Sequence, residues 1–189
     1  MPHLHSFSDE IRHLGYEPGA QLLSQQEIVA DQYVATQLQI AVGSPVLSLR
    51  RLRTADGQPI FVSDSWVALA RFPALRLADY ATTSLYRLFE QTTGRRIVRA
   101  TQWIGVARAE QDIAQYLGIE ADSPVLWLQR LTYVEGNVPV ESVRAFFHPE
   151  RYRHYSELAV YRAPQQPVRG RLAQSGQGAQ ESNSDTVAS

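Results

Sequence analysis

A chain of 189 residues, 44% hydrophobic and 20% charged, is long enough for one domain with a full core and falls in the ordinary globular class. Its formal net charge of -1 gives no overall positive surplus, which argues against non-specific binding to nucleic acid, an interaction that rests on neutralising phosphates. The absence of cysteine excludes disulfides, thiolate zinc sites, thiol nucleophiles and iron–sulfur clusters together.

The first element is a helix at about Ser6–Leu14, with Phe7, Ile11 and Leu14 on one face and Gly15 as its stop. A strand at Leu22–Val29 and a short helix at Gln32–Leu38 follow. Val46–Thr54 and Ile60–Val67 read as a hairpin around the Asp56-Gly57 turn. Arg71–Thr83 is a connection. A helix at Ser84–Thr92, marked by Leu85, Leu88 and Phe89, closes at Gly94. Then come a strand at Ile97–Val106 with Val98, Ala100, Ile104 and Val106 on one face, a helix at Gln111–Leu117, and a hairpin of Val125–Tyr133 and Val138–Phe147 around Glu135-Gly136. A last short strand is expected at Leu158–Tyr161, with linker and tail over 163–189. Gln174–Ser189 has too few large apolar groups to offset the entropy of ordering and is expected to be disordered.

An internal repeat organises these elements. Ser44-Pro45-Val46-Leu47 matches Ser123-Pro124-Val125-Leu126, and Leu49, Arg51 and Leu52 match Leu128, Arg130 and Leu131. Asp56-Gly57 matches Glu135-Gly136. The expected fold is therefore α+β: a mostly antiparallel sheet with packed helices, built from a duplicated helix-strand-helix-hairpin unit.

All 18 basic residues other than histidine are arginine, so Schiff-base and P-loop lysine chemistry are excluded. Any buried cation is a guanidinium, which holds phosphate or carboxylate in a two-pronged grip. Strand alternation puts Leu47, Leu49, Arg51 and Arg53 on one face. That pattern fits either the rim of an anion pocket or salt bridges at an exposed sheet end. Arg51 has a counterpart in Arg130, whereas Arg53 matches Thr132, so Arg53 is the better candidate for ligand specificity. Ser84 and Tyr86 open the mid-chain helix, where free N–H groups favour anions; a plain N-cap role for Ser84 is the alternative. Glu141 shares a face with Val143, Ala145 and Phe147 and needs a partner, either a ligand group or an arginine such as Arg130 or Arg53. Arg144 faces the other way on the same strand. Trp66, Trp103, Trp127, Tyr133, Phe146 and Phe147 read as core or dimer surface. His148 and His154 lack the close helical spacing of a zinc site, so neither metal nor cofactor is expected. There is no G-x-S-x-G elbow and no activated nucleophile, which argues against an enzyme. No apolar run approaches the roughly 20 residues of a membrane span, and Met1–Phe7 carries no signal pattern, so the chain reads as cytoplasmic.

Taken in order, these motifs resemble the UTRA domain. The first block is Gly15-Tyr16-Glu17-Pro18-Gly19, Gly43-Ser44-Pro45-Val46, Arg51-Leu52-Arg53 and Asp56-Gly57-Gln58-Pro59-Ile60. The second is Ser84-Leu85-Tyr86, Leu117-Gly118-Ile119, Pro124-Val125-Leu126, Pro139-Val140-Glu141, Arg144 and Glu150-Arg151-Tyr152. The resemblance spans about Ser6 to Leu158, and the domain is taken as 6–162 after a flexible start at 1–5. It implies a chorismate-lyase-like fold that binds an effector and forms a homodimer, as the C-terminal part of HutC-type repressors of the GntR family. It also implies an upstream winged helix-turn-helix. The five residues before Ser6 are too few for one, so DNA contact is expected only through a missing or separate module.

The resemblance makes Arg51, Arg53, Ser63, Asp64, Ser84, Tyr86, Glu141 and Arg144 the expected effector contacts. The ligand class it implies is a small anion: phosphonate, phosphosugar or carboxylate. Many UTRA domains carry glutamate where this chain has Ser63, with the acid here one residue later at Asp64. A one-residue shift turns a side chain to the opposite face, so either a bulge restores Asp64 or that contact is lost. Asp followed by an aromatic, as in Asp64 and Trp66, resembles the phosphonate-pathway regulators of the family.

Overall fold

Ser6 caps the first helix, α1 (Phe7–His13), its hydroxyl accepting the Asp9 amide, and Gly15 at φ +88° turns the chain away after it. The computed structural model, which describes residues 6–80 and 84–155, continues as β1 (Pro18–Val29), α2 (Gln32–Leu38), β2 (Pro45–Ala55) and β3 (Gln58–Val67). A 3-10 turn (Pro73–Leu77) leads to α3 (Leu85–Thr93), β4 (Ile97–Arg108), α4 (Gln111–Leu117), β5 (Pro124–Val134) and β6 (Val138–Phe147). The expected strand at Leu158–Tyr161, the 163–189 tail and the 1–5 start lie outside the described residues.

The six strands form one antiparallel sheet in the order β1-β2-β3-β6-β5-β4. The α+β expectation holds. The sequence of helix, strand, helix and hairpin occurs twice, and local details recur. Ala30 N–H donates to the Ser44 carbonyl at 2.8 Å, and Ala109 N–H to the Ser123 carbonyl at 2.9 Å. Each hairpin shifts register at the same place, between Arg53 and Thr54 in one and between Thr132 and Tyr133 in the other.

β1 starts four residues earlier than its apolar pattern predicts. Gly19 pairs with Thr54, and a Cβ on Gly19 would sit 2.2 Å from the Thr54 hydroxyl, so any larger residue there would force the threonine side chain to move.

Alternation divides the sheet into two working faces. Arg51 pairs with Ser63, Ser63 with Ala145, and Thr132 with Glu141, which puts these residues on one face. Arg50, Asp64, Arg144 and Gln129 line up across the other. α1 covers the first face, where Ile11 packs with Phe61, Leu128, Ala145 and Phe147. α3 lies on it too, with the Tyr86 hydroxyl 3.0 Å from that of Thr132. The second face carries α4, whose Ile113, Ala114 and Leu117 pack on Leu52 and Val62, and α2, whose Tyr33 meets Trp66 edge-on. Of the six aromatic residues read as core or dimer surface, Phe147 and Tyr133 are buried, while Trp103 on β4 is exposed.

Candidate functional site

On the first face, the sheet dips into a pocket between the starts of α1 and α3. Its floor is Arg51 and Arg53 from β2, Phe61 and Ser63 from β3, and Glu141 from β6; its walls are Ser6, Phe7 and Ser8 on one side and Ser84, Leu85 and Tyr86 on the other. Six of the eight expected contacts therefore meet in one place, drawn from four elements. The cavity offers about 20 Å³ to the centre of a water-sized sphere, room for roughly one water.

Its electrostatics are unbalanced. Arg51 and Arg53 are each only 5% exposed. Nε and Nη1 of Arg51 and Nε of Arg53 are buried without a hydrogen-bond partner. An unpartnered buried polar group costs about 1–3 kcal/mol, more when charged. Burial lowers the pKa of both guanidiniums, Arg53 to about 10 with the neighbouring charges of Arg51 and Arg12 adding to the effect. Glu141 is the carboxylate facing them, 4% exposed. Burial raises its pKa against the pull of Arg51. Among the described residues it makes no ion pair within 4 Å, and its hydrogen bond is a long one of 3.5 Å from the Thr132 hydroxyl. Burial also raises the Tyr86 hydroxyl.

Arg130, which the sequence motifs align with Arg51, makes different contacts. Its Nε and Nη2 donate to Gln102 Oε1 at 3.1 and 2.9 Å, and its guanidinium lies 4.4 Å over the Phe7 ring. Arg51 keeps two unpartnered donor nitrogens and Arg53 one. Ser84 is the N-cap residue of α3 but its side chain makes no cap hydrogen bond, so the plain-cap alternative is not what its hydroxyl does.

Asp64 and Arg144 are the two expected contacts that the fold places elsewhere. No register shift occurs between Ser63 and Asp64, so strict alternation turns Asp64 to the opposite face. There it takes a two-pronged grip from Arg50, at 2.6 and 3.0 Å, while Arg50 also reaches Asp112 at 2.6 Å. Arg144 follows the same alternation, 3.9 Å from Asp64 and 5.4 Å over Trp66. Arg50 thus ties Asp64 of the sheet to Asp112 of α4 on the side away from the pocket.

Sequence reasoning missed the α1 contribution. Ser8 is buried and accepts a short hydrogen bond from Arg53. A signal was available: Ser8 lies three residues before Ile11, so it is a hydroxyl on the helix's apolar face.

Against known proteins, the UTRA domain family model matches residues 13–153. The transcriptional repressor PhnF of Mycolicibacterium smegmatis is 28% identical over 146 residues, 77% of this chain and 59% of that protein. The repressor NagR of Bacillus subtilis is 26% identical over 156 residues, 82% of this chain and 64% of its own length. The chain therefore spans less than two thirds of these relatives. The crystal structure of the PhnF effector domain superposes with a TM-score of 0.77 at 26% identity, covering 82% of this chain and 95% of that domain. With the family model matched across both halves of the sheet and an effector domain of the same architecture beside it, this chain belongs to the UTRA family, the effector-domain family of GntR-type regulators.

Proposed function

We propose that this domain binds a small anionic effector in the pocket between α1 and α3, and that it serves a GntR-type repressor as its sensing and pairing half. The observation that carries this reading is the pair of buried arginines in which Nε and Nη1 of Arg51 and Nε of Arg53 have no hydrogen-bond partner. Two desolvated cations against one carboxylate leave a positive excess that an anion would neutralise. A phosphonate, phosphate ester or carboxylate suits the donor set of Arg51, Arg53, Ser8 and Ser84. Glu141, Ser63 and Tyr86 would take hydroxyl or amine groups on the rest of the ligand.

In this reading the domain is not an enzyme. It acts in the cytoplasm, and DNA is contacted only by a winged-helix module on separate or additional sequence. Among the described residues no helix is long and apolar enough to cross a membrane. Pairing with a second copy is supported by the sheet edge at β4, where Trp103, Ile104 and Val106 are 54%, 42% and 80% exposed. An uncovered edge strand with apolar side chains suits a symmetric partner.

Thermal unfolding tests the sensing role. Inorganic phosphate, an alkylphosphonate, a hexose phosphate and a small dicarboxylate would be titrated in turn. At a hundredfold excess over Kd a ligand of the folded state adds about 2.7 kcal/mol, which raises the Tm by roughly 5–10 °C in a domain of this size. No rise with any of the four, in the wild type as in Arg53→Ala, rejects the reading in favour of a pairing module with a vestigial pocket.

A further inference from the structure

We infer that Tyr152 and Glu10, both outside the pocket, are a positioning pair that seats α1 on it and so sets how firmly an anion is held; the inference rests on the anion-pocket reading. α1 has only seven residues, too few to be a stable helix without tertiary support. Its place depends on what grips it. Ile11 enters the core beside Phe61 and Phe147, and Ser8 accepts from Arg53. Glu10 is two residues beyond Ser8, about 200° further round the helix, and there Tyr152 donates to Glu10 Oε1 at 2.6 Å. The polar grips therefore act on opposite flanks, one inside the pocket and one outside.

Tyr152 is itself held in place. Its ring stacks on Phe147 at 4.0 Å. The turn that carries it is closed by His148, whose Nδ1 accepts the Glu150 and Arg151 amides at 3.2 and 3.3 Å and whose carbonyl accepts the Tyr152 amide at 3.2 Å. Arg151 donates to the Pro59 carbonyl at 3.2 Å. Because Phe147 ends β6, the strand that supplies Glu141, the outer grip is referenced to the pocket floor.

The pocket's size makes this matter. With room for about one water, an anion enters only if Ser8 yields some of its hold on Arg53 and α1 adjusts. The outer tether keeps that adjustment small, so that Ser6 and Ser8 stay against the bound anion. Without it, α1 departs more readily and takes their hydroxyls with it.

The test uses the full chain and the variants Tyr152→Phe, Glu10→Ala and the double variant. Tyr152→Phe keeps the stacked ring and removes one hydroxyl. Phosphate affinity would be measured by calorimetry, and α1 mobility by amide exchange with and without phosphate. Each single variant is expected to weaken phosphate binding about fivefold, the equilibrium value of one net hydrogen bond. Exchange in α1 should rise by a similar factor while exchange in β3 and β6 stays put. The double variant should be no worse than either single one, because both remove the same bond. Unchanged α1 exchange in Tyr152→Phe, or additive effects in the double variant, overturns the pair. If wild-type protein binds none of the four anions, the anion-pocket reading fails instead, and α1 exchange in the ligand-free protein decides the pair by itself.

Discussion

Replacing Arg53 with methionine should stabilise the ligand-free domain, the reverse of what truncating a buried side chain normally does. Methionine fills much of the volume of the arginine stem, so packing changes little. The charged head is what costs. Lowering its pKa from the ordinary guanidinium value to about 10 corresponds to about 3 kcal/mol held against the charged form. Losing the hydrogen bond to Ser8 takes back about 1 kcal/mol. The balance is about 2 kcal/mol in favour of Arg53→Met, or about 4–8 °C in Tm for a domain of this size. Calorimetric unfolding in phosphate-free buffer at pH 7.5 measures it, and the same variant should lose any phosphate-dependent rise. A Tm several degrees lower than wild type would refute the argument, because it would mean that the guanidinium is compensated in the folded state.

The opposite face offers the matching control: Asp64→Asn should cost about 1–3 kcal/mol by breaking the two-pronged grip on Arg50, yet leave anion affinity within twofold. A large loss of affinity in Asp64→Asn, read by calorimetry, would contradict the separation of faces. Gly19→Ala should destabilise by 1 kcal/mol or more, estimated as about the cost of a local strand displacement, because its Cβ would strike the Thr54 hydroxyl; denaturant midpoints report it. His148 makes the domain acid-sensitive. Burial, helped by Arg151 and opposed by Glu150, lowers its pKa below the ordinary value of 6.5. As pH falls through about 6.5 the unfolded chain takes up a proton before the folded one does, so stability drops with decreasing pH and is fully present above that value. His148→Asn retains an acceptor for the Glu150 and Arg151 amides, and melting curves between pH 7.5 and 5.5 should show a shallower slope than wild type. An equal slope in both proteins would remove His148 as the cause.

How much of this was legible beforehand depends on distance along the chain. The helices at Gln32–Leu38 and Gln111–Leu117 match their expected bounds because local apolar spacing and left-handed caps at Gln39 and Gly118 define them. The pairing of Arg51 with Ser63 and the outward turn of Asp64 follow from period-two alternation and the absence of a bulge. Alternation was readable; the missing bulge was not, because a register shift depends on what the neighbouring strand does. The same chain carries bulges at Leu22–Ser24 and Ile97–Arg99, with no comparable sequence signal. Arg144 lies on the Asp64 face, as its strand parity alone requires, while its place among the effector contacts came from the family resemblance.

The sequence by itself determined the α+β class, arginine in place of lysine throughout, the order of the elements, and motifs that match the UTRA family. These are properties of composition, spacing and order, which need no third dimension. Only the tertiary structure decided that Arg51 and Arg53 keep buried N–H groups without partners, that Ser8 of α1 lines the pocket and accepts from Arg53, and that Tyr152, 142 residues from Glu10, donates to it from outside. Charge compensation and long-range tethering are sums over neighbours in space, and strand order sets those neighbours in a way that no local stretch of sequence encodes.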